Sequence, residues 1–477
     1  MKALKILGPL VAALAVWFLL GDYTLDQRKV GAIFALTVGL WISEAFPIAV
    51  TALLSSSLLI IAGTGKEKEV FAAYGEPTVP LFIGSFILAK AMEASRLSDR
   101  FAWLILSKGW AHRSPSSLLF SLGAIACIVS LFVSNTATTA MMLPIGLAML
   151  AALGAGQGSR YAMGSMLMLT WGSSIAVGVP VGTPPNLIGM RLIEDATGKR
   201  ITFLEWMAFG MPITIAMLGA CWFVLWIMYR RDAPKTREAG LTAKDAMRDL
   251  GPFTHAQRNT LLAFVIAMIL WIGPDLLAAL LGPDNALGKS LQSALPPSVA
   301  AIVAAATLFL FPCHDGSTRF SWSEARTIDW GTILLFAGGI ALGQAMFSSG
   351  LAKELGQVAA EASGAQSLWS ITLLCTVAGV ALSELASNTA AATTLVPVAI
   401  GLAQGAGVSP IAPALGVAVG ASLGFMLPVS TAPNAIVYSS GLIPSRQMMK
   451  AGLVIDIIGI VVTVGGLYLV LPLLGLV

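Results

Sequence analysis

The stretch SNTATTAMMLP at 134–144 recurs in a second apolar region as SNTAAATTLVP at 387–397. Two further phrases recur in the same order along the chain: LFIGSFILAKAMEASRL at 81–97 as LFAGGIALGQAMFSSGL at 335–351, and VPVGTPPN at 179–186 as LPVSTAPN at 427–434. Three phrases repeated in one order indicate an internal duplication. Two copies of a small polar motif within apolar helices are typical of proteins that bind a solute near the middle of a membrane.

The composition places the chain in a membrane. Of its 477 residues, 57% are hydrophobic and only 11% are charged, and the mean hydropathy is +0.84. This is too little charge to coat a soluble domain of that size. We therefore predict an all-α polytopic membrane protein that contacts the lipid bilayer and no nucleic acid, with about eleven transmembrane helices. Their expected positions are 3–20, 29–47, 48–64, 79–95, 160–181, 205–229, 259–282, 297–313, 329–349, 408–429 and 450–476.

The two regions that carry the SNT phrases do not fit full membrane crossings. Each region, 116–153 and 367–406, contains an apolar limb, a polar tip and a second apolar limb with a proline. That is short for two spans of about 20 residues plus a turn, so we predict two re-entrant helical hairpins. Irregular backbone at membrane depth must be buried in protein or lined by water, which places each tip inside the protein. The phrases TPPN and TAPN should interrupt their own spans, because proline removes a backbone donor.

The distribution of Lys and Arg predicts the orientation. The segments 96–113 and 230–258 are rich in both residues, so both should be cytoplasmic, together with the N-terminus. Five crossings are expected between the two hairpins. Because five is odd, the second hairpin should enter from the opposite side, the C-terminus should be extracytoplasmic, and the duplication should be an inverted repeat about a pseudo-two-fold axis.

These motifs resemble those of a known family, the divalent anion:sodium symporters, which include the sodium–dicarboxylate cotransporters. The resemblance rests on both SNT phrases and on phrases spread over nearly the whole chain: WISEAFP at 41–47, GTPPN at 182–186, Trp330 with LLFAGG at 334–339, and MLPVSTAPN at 426–434. It implies sodium-coupled symport of divalent anions, C4-dicarboxylates such as succinate, malate and fumarate first among them. Citrate or sulfate transport, and exchange instead of symport, are alternatives within the family.

The resemblance also implies an assembly and a division of the chain. It implies a homodimer in the bacterial inner (plasma) membrane, in which a transport region moves by alternating access, in an elevator-like motion, against a scaffold. We assign the scaffold to 1–113 and 259–349, the transport region to 114–230 and 350–477, and a basic cytoplasmic connection to 231–258. The first repeat begins near residue 79.

The chemistry of the two tips suits an anion and a cation together. Hydroxyl and amide groups donate to carboxylates, and their oxygens can bind a hard cation. No Lys or Arg occurs between Arg113 and Arg160 or between Lys353 and Arg446, so a dianion bound at the tips has no fixed cationic partner there. Burying two uncompensated charges would be prohibitive. Bound sodium ions, at two sites or more, can supply the missing charge, which gives a physical reason for coupling.

The family pattern assigns individual residues to these roles. One sodium is expected near Ser130, Ser134, Asn135 and Gly182, and a second near Ser383, Ala386, Ser387, Asn388 and Ser430. The expected substrate contacts are Ser134, Asn135, Thr136, Thr183, Pro184, Ser387, Asn388, Thr389, Thr431 and Ala432. Ala432 stands where the family commonly has proline, so the shape of that wall stays open.

Polar residues in membrane helices also have structural interpretations. Ser, Thr and Asn often bond neighbouring helices, but duplication at matched spacing favours a binding role for the SNT phrases. Glu384 is a candidate proton or cation group, although we favour a structural role because its counterpart in the first copy is Leu131. We interpret Glu44, Lys90, Glu93 and Asp456 as interfacial anchors or helix-end charges.

Other classes of protein fit less well. A proton-coupled antiporter would require a pair of carboxylates where the broken helices cross, and Glu384 is the only candidate that the sequence offers there. A passive anion channel could use the same hydroxyl-lined path, so this alternative stays open. An embedded enzyme would need a nucleophile with a base, and the sequence offers no such cluster. The four cysteines are too far apart for a metal site or a disulfide framework.

Overall fold

The computed structural model describes residues 2–282, 285–315 and 317–477. This described part of the chain consists of helices and their connections and has no strand. In chain order the α-helices are α1 Lys2–Leu19, α2 Leu25–Ser43, α3 Ile48–Ile61, α4 Glu67–Ala72, α5 Thr78–Ala94, α6 Leu97–Leu106, α7 Pro115–Ser130, α8 Asn135–Ala152, α9 Arg160–Ser174, α10 Pro184–Thr197, α11 Phe203–Tyr229, α12 Arg237–Asp249, α13 His255–Leu281, α14 Ala286–Ala294, α15 Pro297–Leu310, α16 Trp322–Ala325, α17 Trp330–Ser348, α18 Leu351–Ser363, α19 Leu368–Leu385, α20 Asn388–Gly405, α21 Ile411–Gly420, α22 Ala432–Tyr438 and α23 Ser445–Val470.

Three long helices present apolar side chains outward. α11, α13 and α23 are 26 or 27 residues long, and Ile215, Ile269 and Val461 on their outer faces are each more than 60% exposed. Contiguous exposed apolar surface is unfavourable in water but is what a lipid-facing helix requires. The prediction of an all-α membrane protein is confirmed.

The described helices include fewer long apolar spans than the eleven predicted. Seven described helices are long and apolar enough to cross a membrane, or eight if the bent pair α14–α15 counts as one span. This pair turns by 62° at its break. Several other expected spans correspond to shorter apolar helices, among them α1, α3 and α21. The expected count of eleven is therefore not confirmed.

Both SNT regions form helical hairpins. α7 and α8 make the first hairpin, and α19 and α20 make the second, in agreement to within one residue with the predicted ranges 116–153 and 367–406. Their limbs have 16 to 18 residues, or about 24–27 Å at the rise of an α-helix. Since the hydrocarbon core is about 30 Å thick, the limbs come close to its full thickness. How deep each hairpin enters the bilayer stays a prediction.

The two spans with TPPN and TAPN are broken, as predicted. The span expected at 160–181 ends as a helix at Ser174, and α10 begins only at Pro184; the span expected at 408–429 ends at Gly420, and α22 begins at Ala432. The prolines lie in the first turn of the second segment, where the missing backbone N–H has no helical partner to lose. The prolines therefore start new helices, and the unwound backbone precedes each of these helices.

The duplication is visible in the packing. Gly84 of α5 lies against the backbone of Ala301 in α15, and its counterpart Gly338 of α17 lies against Ala52 in α3. Across the copies, α8 packs on α22 while α10 packs on α20. For each contact made by an element of the first copy, the matching element of the second copy makes an equivalent contact. Two-fold symmetry produces this pattern. The matched contacts include α3, upstream of residue 79, where the sequence repeat was expected to begin.

Gly84→Ala and Gly338→Ala should each destabilise the protein. The added methyl carbon would lie 2.6 Å from the backbone carbon of Ala301 in the first case and 2.8 Å from the carbonyl oxygen of Ala52 in the second. Overpacking of this kind costs about 1–3 kcal/mol, so the midpoint of thermal unfolding in detergent should fall. Gly219→Ala in α11, where nothing lies within 4 Å, is the matched control and should leave the midpoint unchanged. Equal midpoints for all three variants would contradict the described helix contacts.

Candidate functional site

One cavity brings the two copies of the motif together. It has a volume of about 500 Å³ and is lined by residues of both hairpin tips and both broken spans. α5 and the start of α17 form its remaining walls. The predicted residues that line it are Ser134, Asn135, Thr136, Gly182, Pro184, Ser387, Asn388, Thr389, Ser430, Thr431 and Ala432.

The two tips have the same internal hydrogen bonds. In the first tip, the Ser130 hydroxyl donates to Asn135 Oδ1 at 2.8 Å. In the second tip, the Ser383 hydroxyl lies 2.9 Å from Asn388 Oδ1. Each tip serine caps the following helix, with Ser134 Oγ accepting from the Ala137 N–H at 3.3 Å and Ser387 Oγ accepting from the Ala390 N–H at 3.3 Å. The asparagine side chains are thereby held in one orientation at the cavity wall.

Four helices begin at this cavity. α8, α10, α20 and α22 start at Asn135, Pro184, Asn388 and Ala432, and all four residues line it. The N-terminus of a helix carries unpaired backbone N–H groups and a partial positive charge, which favours an anion. α7 and α19 end at the same two tips, and their C-terminal carbonyls favour cations. The helix ends at this cavity are therefore suited to both kinds of ion.

Two buried asparagines hold the unwound segments. Asn186 donates to the carbonyls of Val177 and Val179 at 3.2 and 3.0 Å. Its counterpart Asn434 donates to the carbonyls of Gly424 and Leu427 at 3.0 and 3.1 Å. Both side chains are fully buried. Each amide thus replaces hydrogen bonds that the broken helix has lost, and fixes the backbone that forms the cavity wall.

Gly182 lies in a cluster of carbonyl oxygens. A side chain at this position would collide with the carbonyl oxygen of Ala176 and come within 3.4 Å of that of Leu131. Backbone carbonyls are suitable ligands for a hard cation such as sodium. The counterpart of Gly182 in the second copy is Ser430, whose hydroxyl lies 2.8 Å from the carbonyl oxygen of Leu427. The residues present around both tips therefore fit the expected cation sites.

Four predicted site residues lie behind the cavity wall. Ser130, Ser383 and Ala386 are buried at the bases of the tips. Thr183 is also buried, and its hydroxyl lies 2.9 Å from that of Ser422. The structure places Thr183 in a bond between the two broken spans and does not offer its hydroxyl to the cavity.

The part of the cavity wall that α5 and α17 form was not predicted from the sequence. Ser85, Lys90 and Glu93 line the cavity from α5, and Asp329 and Thr332 line it from α17. The three α5 residues share one face of an otherwise apolar helix, and this polar spacing was the available signal. Lys90 and Glu93 form an ion pair at 3.1 Å, so they are cavity residues as well as helix-end charges.

Glu384 and Asp456 lie beside the second tip. The Glu384 carboxylate accepts the backbone N–H groups of Met426 and Leu427 at 2.8 and 3.1 Å, so it holds the unwound segment before α22. Asp456 lies in the middle of α23, is 3% exposed, and is a neighbour of Glu384. Our interpretation of Asp456 as an interfacial anchor was wrong, because a single sequence does not show which face of α23 packs inward.

The geometry agrees with comparisons to known proteins. A family model described as the transmembrane region of the sodium:sulfate symporters matches residues 1–476. The chain belongs to the sodium:sulfate symporter family. The predicted resemblance to anion:sodium symporters is thereby confirmed, and this family member is a sodium-coupled transporter, not an enzyme.

Two bacterial relatives are similar to this chain over nearly its whole length. Both are named sodium-dependent dicarboxylate transporter SdcS, one from Staphylococcus saprophyticus and one from Staphylococcus aureus strain NCTC 8325. Each is 32% identical to this chain, over 99% and 98% of its length and 92% and 90% of the relative.

Two solved structures share the fold. The Alcanivorax borkumensis YdaH transporter superposes with a TM-score of 0.55 at 15% identity, covering 84% of this chain and 87% of YdaH. Neisseria gonorrhoeae MtrF superposes with a TM-score of 0.56 at 11% identity, covering 86% of this chain and 83% of MtrF. At such low identity the likeness concerns the fold alone.

Asn186→Asp and Asn434→Asp should each loosen the cavity wall. A carboxylate cannot donate to the two carbonyls that the amide now binds, and each unpaired buried group costs about 1–3 kcal/mol. The thermal midpoint in detergent should fall, and its increase on replacing potassium chloride by sodium chloride should shrink. Asn285→Asp is the control, since Asn285 caps α14 through its oxygen and aspartate caps equally well. Wild-type midpoints for both cavity variants would contradict this role.

Proposed function

We propose that this protein is a symporter that couples sodium to divalent anions, specifically C4-dicarboxylates such as succinate, malate and fumarate. The observation that carries the proposal is the convergence of two neutral, hydrogen-bonding tips and four helix N-termini on one cavity. The names of the two staphylococcal relatives support the dicarboxylate class. The family description supports sulfate as an alternative substrate.

The charges around the cavity support the coupling. Among the described residues that line it, Lys90 is the one cation, and Glu93 and Asp329 are carboxylates. The fixed side chains therefore carry no net positive charge to compensate a dianion. We place one sodium near Ser130, Ser134, Asn135 and Gly182, and a second near Ser383, Ala386, Ser387, Asn388 and Ser430. Two bound sodium ions would balance the two charges of the anion.

Asn135→Ala and Asn388→Ala should each reduce sodium-driven uptake of succinate into proteoliposomes to background. Each asparagine is held by a buried serine and faces the cavity, and no Lys or Arg of its own tip can replace it as a donor to the anion. Asn285→Ala is the control. Asn285 lies at the start of α14 and is not among the residues that line the cavity, so this variant should transport normally.

The same assay separates the alternatives. Uptake that requires internal dicarboxylate would favour an exchanger, and uptake that follows a proton gradient would favour an antiporter. Equilibration of succinate across the membrane that depends on neither a sodium nor a proton gradient would favour a channel. Normal transport by a folded Asn135→Ala or Asn388→Ala variant would contradict the proposed site. Competition by succinate, citrate, sulfate and glutarate then ranks the anions.

We further propose alternating access by an elevator-like motion in a homodimer. The segments 114–230 and 350–477 would move against the scaffold formed by 1–113 and 259–349, with the N-terminus cytoplasmic and the C-terminus extracytoplasmic in a bacterial plasma membrane. The reciprocal packing of the two copies supports this proposal, since a site between inverted repeats can open to either side as the copies exchange roles.

One ion cluster connects the two proposed regions. Arg191 of α10 contacts Glu76, just before α5, at 3.0 Å, and Asp195 of α10 at 2.6 Å. Asp195 also accepts a hydrogen bond from Gln344 of α17 at 3.3 Å. α10 belongs to the proposed transport region, whereas Glu76 and Gln344 belong to the proposed scaffold. A large relative movement must break these contacts.

Joining Glu76→Cys to Arg191→Cys should therefore stop transport. A cleavable bis-methanethiosulfonate should link the pair in a background without the four native cysteines, and the linked protein should still bind sodium and succinate but fail to transport. Reduction should restore uptake. The pair Arg191→Cys and Asp195→Cys lies within α10, so linking it should have no effect. Undiminished transport by the linked Glu76–Arg191 pair would contradict the elevator motion.

A further inference from the structure

The cavity wall formed by α5 carries a cation that the proposed dianion site does not use. Lys90 Nζ lies 3.1 Å from both carboxylate oxygens of Glu93. Among the described residues that line the cavity, it is the one Lys or Arg. It lies on α5, outside both tips, where the dicarboxylate and the sodium ions are proposed to bind.

The ion pair of Lys90 is exchangeable. The Glu93 side chain is 53% exposed and that of Lys90 is 29% exposed, and ion pairs exposed to solvent contribute little stability. A carboxylate that entered the cavity could replace Glu93 as the partner of Lys90 at small cost, because the released Glu93 would remain hydrated. Lys90 is therefore available to a ligand.

A second polar group lies on the same wall. The Ser85 hydroxyl is buried and has no hydrogen-bond partner in the described part of the chain, and it lines the cavity from the same helix. A volume of about 500 Å³ lies within the range that holds ligands larger than a four-carbon acid. The cavity thus has space and polar groups beyond what two carboxylates at the tips require.

We propose that Lys90 is a specificity-determining residue that binds a third acidic group of the anion, so that the site accepts tricarboxylates of the citrate class beside dicarboxylates. Two carboxylates bind at the tips, and the third displaces Glu93 from Lys90. Because Lys90 belongs to the proposed scaffold, it contacts the anion only in conformations that bring the tips opposite α5. This inference rests on the proposed function and identifies Lys90 as the residue that binds the third carboxylate of the anion.

The test compares citrate with succinate in sodium-driven uptake, at a fixed pH where citrate is a trianion. The measured quantity is the inhibition constant of citrate against succinate uptake, divided by the KM of succinate. Lys90→Gln should raise this ratio about fivefold, as expected for the loss of one partly exposed ion pair. Glu93→Gln frees Lys90 and should lower the ratio. The double variant should match Lys90→Gln, and Lys90→Arg should keep the wild-type ratio.

Lys66→Gln is the matched control. Lys66 pairs with Glu69 at the same spacing along the chain, on an exposed helix that does not line the cavity, so its ratio should stay at the wild-type value. An unchanged ratio in Lys90→Gln, an equal change in Lys66→Gln, or no inhibition of the wild type by citrate would each overturn the inference. A wild-type protein with no sodium-driven uptake of any anion would instead overturn the proposed function.

Discussion

The central constraint that the proposed function places on this structure is electrostatic: a doubly charged anion would have to be held inside a membrane protein whose described cavity-lining residues carry no net positive side-chain charge. A buried anion without compensation is too costly to form. The chain meets this constraint with oriented neutral groups, namely the N-termini of four helices and the amides of Asn135 and Asn388. These partial charges lower the cost but do not remove it. Mobile cations must provide the rest, so a loaded site and an empty site differ strongly in stability.

The broken helices follow from the same constraint. A continuous helix would use its backbone groups internally and offer none of them to a ligand. Breaking two spans and folding two hairpins exposes N–H and C=O groups inside the protein, where water cannot satisfy them. The chain stabilises this irregular backbone with buried amides at Asn186 and Asn434 and with the carboxylate of Glu384. Close contacts at Gly84 and Gly338 hold the surrounding helices together.

Sequence reasoning succeeded where a local pattern carries the chemistry. The hairpins, the two broken spans and most cavity residues follow from short phrases whose polarity and prolines stand out in apolar surroundings. It failed where the answer depends on packing between distant helices. Three features depend on which sides of the helices pack together. They are the buried position of Asp456, the bond from Thr183 to Ser422 and the cavity wall with Lys90. The described long spans are fewer than predicted for a related reason, because short buried helices are shielded by protein and need not match the bilayer thickness.

The two copies have the same frame but different chemistry. Gly182 lies against the carbonyl oxygen of Ala176 and near that of Leu131, whereas its counterpart Ser430 places a hydroxyl beside the carbonyl of Leu427. Glu384 anchors the second unwound segment, and the first copy has Leu131 at the matching position. Cation affinity depends on the number, charge and rigidity of the oxygen ligands. If the two proposed cation sites exist, equal affinities at the two tips would therefore require a coincidence, so the differences between the copies should make the proposed sites unequal.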